Sequence, residues 1–225
     1  MIPNPILIFT DGASKGNPGS GGWGAIVASD DSVQEFGGRE DHTTNNRMEL
    51  SAAINALSKI PNSKFQILLY SDSSYVVNGI TKWVHGWKKN GWQTATKKPV
   101  ENQDLWEQLS GLAEGRSIEW KRIAGHADTP ANTRADEIAS AFADGESPQL
   151  FSGSQSEYKI DLSIIGVQSG GRRQSPYAYV SLVDGKIETH QTWGECERRV
   201  KGKTARYKKV FSKEEEDRVI ADFKK

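Results

Sequence analysis

The apolar positions of the first 143 residues fall into short runs and helical stripes. Residues 6–9, ILIF, form a continuous apolar run ending at Thr10-Asp11-Gly12, the pattern of a buried strand with polar groups at its C-terminal end. A glycine-rich stretch, 13–24, predicts a loop or tight hairpin into a second strand, Trp23 to Ala28, and a third strand is expected from near Gln34. Leu50, Ile54 and Leu57 follow the i, i+4, i+7 spacing of a helix over 48–60 that Pro61-Asn62 stops. Residues 65–70, FQILLY, are apolar on both faces, which suits a central strand, and they run into Ser71-Asp72-Ser73. A helix is predicted from Ser74, another from Asp104 to about Glu114, an alternating strand over 117–123, and a last helix over 132–143 with Asn132 as its N-cap. This order is that of a mixed α/β domain with helices covering a sheet.

Residues 144–157, DGESPQLFSGSQSE, are rich in Gly, Ser, Pro and acid and read as a linker. The remainder, 158–225, is long enough for a second small domain. It carries strand-like runs over Tyr158–Val167 and Tyr177–Val183 and helix-like stretches near 194–200 and 213–223.

Composition narrows the class. Mean hydropathy is −0.63, and no stretch approaches the ~20 apolar residues needed to span a bilayer. The opening MIPNPILIFTDG lacks the basic start, long apolar core and small-residue cleavage site of a signal peptide. Cys196 is the lone cysteine, so an intrachain disulfide framework and a thiolate-built zinc site are excluded. A reducing, cytoplasmic location is the simplest expectation. The net charge is +0, but residues 1–150 hold 14 Lys/Arg against 18 Asp/Glu, and residues 151–225 hold 15 against 11. A basic half suggests a polyanionic partner. More pointedly, residues 82–98 contain five lysines, no carboxylate, and Trp83, Trp87 and Trp92. Lysines attract phosphates and aromatic rings pack on sugars or bases, although Trp83 and Trp87, four apart, also suit an ordinary helical core face.

Asp11 and Asp72 each sit just past an apolar strand, where α/β sheets gather ligands. Glu49 opens the helix beside its apolar stripe, and Asp136 lies inside the last helix. Acidic groups brought to one locus repel unless cations neutralise them. An all-oxygen set favours a hard ion such as Mg²⁺, and two such ions about 4 Å apart can clamp both oxygens of a phosphodiester exchange. Each carboxylate taken singly is more often a turn residue or helix cap.

Together these segments closely resemble type 1 ribonuclease H. The matching pieces are Ile8-Phe9-Thr10-Asp11-Gly12-Ala13, Gly16-Asn17-Pro18-Gly19, Thr43-Thr44-Asn45-Asn46-Arg47-Met48-Glu49-Leu50 and Tyr70-Ser71-Asp72-Ser73. They continue with the Trp/Lys segment 81–99, Gly125-His126-Ala127, and Asn132 followed by Arg134-Ala135-Asp136-Glu137-Ile138-Ala139. The set stands in family order over about residues 5–143.

The resemblance implies a ribonuclease H-like mixed five-stranded sheet with flanking helices over 1–143. It implies a two-metal endonuclease that cuts the RNA strand of RNA–DNA hybrids and leaves 5′-phosphate and 3′-hydroxyl ends. Asp11, Glu49, Asp72 and Asp136 match its metal-ligand carboxylates, for two Mg²⁺ ions with Mn²⁺ as a substitute. His126 matches a histidine that aids proton transfer or product release. Asn17, Asn45 and Asn46 match minor-groove contacts, Thr44 a DNA-phosphate pocket, and Trp83, Lys88, Lys89 and Lys98 the basic protrusion. Ser74 and Gly86 depart from relatives that carry an amide side chain and a phosphate-holding Asn at those positions.

The C-terminal piece is similar to the small hybrid-binding, viroplasmin-like domain over about 177–221, through Thr192-Trp193-Gly194-Glu195-Cys196 and Ala205-Arg206-Tyr207-Lys208-Lys209. Here it follows the catalytic domain, and Val210 is an extra residue before Phe211. The resemblance implies a small α+β domain in which Trp193, Lys208 and Lys209 hold hybrid, with dimerisation through this domain as the alternative. A monomer without membrane attachment is the expected state, and a catalytically silent nucleic-acid binder of the same fold is the alternative for the whole chain.

Overall fold

The computed structural model describes residues 4–61, 65–123, 129–162, 177–183, 185–203, 205–210 and 213–223, with the backbone alone at Glu214 and Glu215. The chain divides into two compact units, residues 1–165 and 166–225. Among the described residues no helix is long and apolar enough to cross a membrane.

The first unit opens with three long antiparallel strands, β1 (Ile6–Gly16), β2 (Gly19–Ala28) and β3 (Ser32–Thr43). The helix α1 (Asn45–Lys59) leads to β4 (Ile67–Ser71), which pairs parallel with β1. Then α2 (Ser74–Asn78), a π-helical turn (Gly79–Trp83) and α3 (Val84–Lys89) run on continuously. The helix α4 (Gln103–Ala113) precedes β5 (Ile118–Arg122), which pairs parallel with β4, and α5 (Pro130–Ala143) follows.

Strand alternation sorts the core. Ile8, Ala25, Ile67 and Leu69 face a cluster with Leu50, Leu57, Trp106 and Leu109 from α1 and α4. Gly22 and Gly24 point to the other face of β2, where α5 packs. A Cβ on Gly24 would strike the carbonyl of Ala135, and one on Gly22 that of Ala139. Both positions need glycine because the helix backbone lies directly on the strand. Gly12 does the same for the start of α1, since a Cβ there would meet the backbone of Met48 and Glu49.

Two helices begin earlier than their apolar period. The Thr44 hydroxyl caps α1 by accepting from the Arg47 N–H at 3.4 Å, ahead of a polar first turn that carries no hydrophobic signal. In α5, Pro130 occupies the first turn, and Thr129 rather than Asn132 stands at the cap position.

The sheet has six strands, in the order β5-β4-β1-β2-β3-β6, not the five expected. The sixth, β6 (Ser152–Ser154), comes from the segment read as a linker and pairs with Ser32–Gln34. Its small polar residues gave no apolar alternation to read. Tyr158–Leu162, expected to begin a strand, is not one, and residues 163–167 of that run lie outside the described residues. Tyr158 instead donates to the Glu35 carboxylate at 2.8 Å.

The second unit is a three-stranded antiparallel sheet, β8-β7-β9, of β7 (Ala178–Val183), β8 (Lys186–His190) and β9 (Ala205–Val210). The helix α6 (Trp193–Val200) opens on a capping box between Thr192 and Glu195, and α7 (Lys213–Phe223) closes the chain. Ala178, Val180 and Val210 pack on Val219 of α7, while Val183 packs on Cys196 and Val200 of α6, so each helix covers one sheet face.

The α5–β2 contact yields a prediction. Gly24→Ala is expected to cost about 1–3 kcal/mol through backbone overpacking, read as a lower midpoint in chemical denaturation. Gly86→Ala, where a Cβ meets nothing within 4 Å, serves as the contrast and shows no such loss.

Candidate active site

Register brings the first carboxylates together. Thr10 pairs with Ser71 across the parallel β1–β4 ladder, so Asp11, within β1, lies beside Asp72, just past the end of β4. β1 does not stop at Asp11 as the sequence suggested but runs on to Gly16, paired with β2. The close approach at Gly12 then brings Glu49 over the same point. Carboxylate oxygens of Asp11, Glu49 and Asp72 lie within 4.8 Å of one another. Asp136 lines the same cleft of about 330 Å³, with Lys15, Asn45 and Ser140 at its walls.

Three of the four acids have a holder. The Gly12 N–H donates to Asp11 Oδ1 at 2.8 Å, and the Asn132 amide donates to Oδ2 at 3.4 Å. Asn45 Nδ2 donates to Glu49 Oε1 at 3.5 Å, and the Ser140 hydroxyl to Asp136 Oδ1 at 3.4 Å. Asn132, Asp136 and Ser140 are spaced i, i+4, i+8 along α5, a polar stripe that exposes this set once α5 is known to be a helix. Asn132, read from sequence as a cap, is therefore part of the site, and it is 4% exposed. Lys15 and Ser140 carried no signal of their own.

Asp11 and Glu49 are buried, at 6% and 5% exposure. Burial, then the charges of Asp72 and Asp136, push the Asp11 carboxyl up from 3.8 to about 8, against the pull of Gly12 and Asn132. Burial, then Asp11 and Asp72, hold Glu49 well above the ordinary carboxylate range. Glu49 Oε2 is buried without a hydrogen-bond partner. A buried oxygen lacking a donor, in an all-carboxylate set, fits a hard divalent cation. Asp11, Glu49 and Asp72 could hold it, and Asp136 lines the same cleft.

The expected nucleic-acid residues are distributed around this cleft and beyond it. Asn17 is exposed in the β1–β2 turn, Thr44 caps α1, and Asn45 and Asn46 are exposed at the start of α1. Trp87 packs edge-on against Trp106 at 5.6 Å, whereas Trp83, 5.7 Å from Trp87, remains 39% exposed. Trp87 is thus half-buried against the core, and Trp83 lies at the surface. Lys88, Lys89 and Lys98 are exposed. His126 lies outside the described residues.

In the second unit Trp193 stands between Tyr179 and Tyr207, at ring distances of 5.7 and 5.4 Å. Lys209 is opposite Tyr179 in the β7–β9 ladder and shares its face. Lys208 is opposite Val180 and so falls on the other face. The structure joins Trp193 with Lys209 and separates both from Lys208. Tyr179 and Tyr207, not singled out in the sequence, complete the aromatic row.

Comparisons with known proteins agree with this geometry. The RNase H family model matches residues 3–144. Ribonuclease H of Bradyrhizobium sp. (strain ORS 278) is 55% identical over 134 residues, which span 60% of this chain and 86% of that protein. Ribonuclease H of Zymomonas mobilis subsp. mobilis is 54% identical over 138 residues, spanning 61% and 88%. The crystal structure of LC9-RNase H1, a type 1 RNase H, superposes with a TM-score of 0.59 at 25% identity, covering 76% of this chain and 100% of its own. With this match lying over the unit that gathers the carboxylates, the chain belongs to the RNase H family and is a ribonuclease H enzyme.

Proposed function

We propose that this enzyme hydrolyses the RNA strand of RNA–DNA hybrids with two divalent cations, Mg²⁺ foremost, leaving 5′-phosphate and 3′-hydroxyl ends. The convergence of Asp11, Glu49 and Asp72 within 4.8 Å, in an exposed-mouthed cleft that Asp136 also lines, carries the reading. Bound cations supply charge neutralisation at the phosphate and a water acidified toward neutral pH.

The chain's own groups bind and orient. Gly12, Asn132, Asn45 and Ser140 hold three of the carboxylates in fixed directions, which limits reorganisation when a phosphodiester enters. Asn17, Thr44, Asn45 and Asn46 lie at or near the N-terminal end of α1 and the adjoining hairpin, suited to a minor groove and a phosphate. Trp83, Lys88, Lys89 and Lys98 offer a ring and three charges to the DNA strand. Contacts of this kind read backbone and shape, so little base preference is expected. His126 is assigned proton transfer or product release. In the second unit Trp193 and Lys209 are assigned to hybrid binding, with Tyr179 and Tyr207 extending the stacking surface. Lys208, on the opposite face, is assigned a contact of its own or none in common with Trp193.

Asp11→Asn tests the metal assignment. With Mg²⁺ and a labelled hybrid, wild type is expected to cut the RNA strand and the variant to lose more than about 100-fold in rate. Equal rates overturn the assignment. In EDTA near neutral pH the same variant is expected to melt at a higher temperature than wild type, because a neutral amide folds into this site without taking up the proton that Asp11 must bind.

The pH dependence has a definite sign. The folded state keeps a proton on Asp11 up to about pH 8, whereas an unperturbed carboxyl ionises at 3.8. Between those values the folded state binds the extra proton, so metal-free stability falls as pH rises. Thermal midpoints in EDTA are expected to show this loss, Mg²⁺ to offset it, and Asp11→Asn to lessen it, with Glu49 carrying the remainder.

For the second unit, Lys209→Gln in the full chain is expected to reduce the slope of log affinity against log salt by up to about 1, the share of one phosphate contact. Trp193→Ala weakens binding with no change of slope. Unchanged affinity in both variants removes this unit from hybrid binding.

A further inference from the structure

Residues 149–158 follow α5, beyond the stretch matched to the family, and they engage a buried ion pair behind the active-site helix. Arg134 of α5 meets Glu35 of β3 through two parallel bonds, Nε to Oε1 at 2.9 Å and Nη2 to Oε2 at 3.0 Å. The Glu35 side chain is 1% exposed. Each of its oxygens takes a second bond from the following segment. Oε1 accepts from the Tyr158 hydroxyl at 2.8 Å and Oε2 from the Phe151 N–H at 3.0 Å. Arg134 Nη2 also donates to the Gln149 carbonyl at 2.9 Å. The backbone closes the loop, Glu35 N–H donating to the Phe151 carbonyl at 2.8 Å, and the Phe151 and Tyr158 rings pack at 4.9 Å.

A buried carboxylate left one donor short is costly, and a planar guanidinium held by two parallel bonds fixes direction as well as distance. Arg134 sits between Asn132, which holds Asp11, and Asp136 on the same two turns of α5. The glycine contacts with β2 set how close α5 lies, whereas the Arg134 clamp fixes its rotation and its position along the strand.

We propose that residues 149–158 form a strap belonging to the catalytic unit, in which the Tyr158 hydroxyl and Phe151 amide complete the Glu35–Arg134 pair and thereby position Asn132 and Asp136 at the cleft. Tyr158 is a positioning residue, remote from the reacting atoms. The inference rests on the hybrid-cleaving reading above and adds the element that sets its geometry.

Tyr158→Phe in the full chain keeps the ring and deletes the one donor, so the fold is retained. Glu35→Gln keeps the shape and removes the charge that Arg134 faces. Both are compared with wild type well below their melting midpoints. The expected result is a loss in kcat on hybrid of up to about 10-fold with KM within about twofold, the behaviour of an outer-shell residue. A second readout needs no turnover: the Mg²⁺ concentration giving half of the maximal thermal shift rises by a similar factor. A lower melting midpoint with kcat and the Mg²⁺ half-point unchanged in both variants overturns the proposal, because the strap then only stabilises. If wild type fails to cut hybrid while the Mg²⁺ half-points still separate the variants, the substrate reading falls and the positioning role stands.

Discussion

Mutual repulsion among buried carboxylates is the constraint around which this enzyme is organised. Two acids at about 5% exposure, with two more along the same cleft, cannot all ionise without a counter-charge. The fold could relieve that strain with a lysine or an arginine aimed inward. Instead the Lys15 ammonium pairs with Asp144 at 2.8 Å, and Glu49 Oε2 is left without a donor. That electrostatic cost is one that divalent cations, on which the RNase H family depends, would relieve.

Holding such a cluster together demands rigid backbone, and the devices are close approaches rather than large side chains. Gly12 seats the start of α1 against β1, and Gly22 with Gly24 seats α5 against β2. Small residues at these points let three elements converge within the reach of a carboxylate. Behind α5, the Glu35–Arg134–Tyr158 network adds direction to that proximity. The first unit therefore extends past the family match, which ends at residue 144.

The second unit follows another logic. Its sheet is covered by a helix on each face, and what it presents outward is a row of three aromatic rings beside a basic strand. A surface of exposed rings and charges is chemically suited to stacking and phosphate contacts, which is the ground for the role proposed for this unit above.

Strand runs at 6–9 and 65–70, the stripe Leu50–Ile54–Leu57, and Asp72 past the end of β4 were legible because hydrophobic period and residue chemistry are local properties; Asp11 lies within β1, whose glycine-rich second half gave no apolar pattern. Asp11, Glu49, Asp72 and Asp136 could be named from sequence, and so could the basic Trp-rich segment. The role of Asn132 could not, since a polar residue at a helix start reads as a cap until the helix is seen to begin at Pro130. Nor could β6 or Tyr158, whose partners are Val33 and Glu35 more than 100 residues earlier. Lys208 and Lys209, adjacent in sequence, part company only when the pleat of β9 turns them to opposite faces. Sequence determines which groups are available and where chain direction changes. Tertiary structure decides which of them meet, because register across β1 and β4, and the depth to which α1 and α5 settle on the sheet, arise from contacts between distant segments.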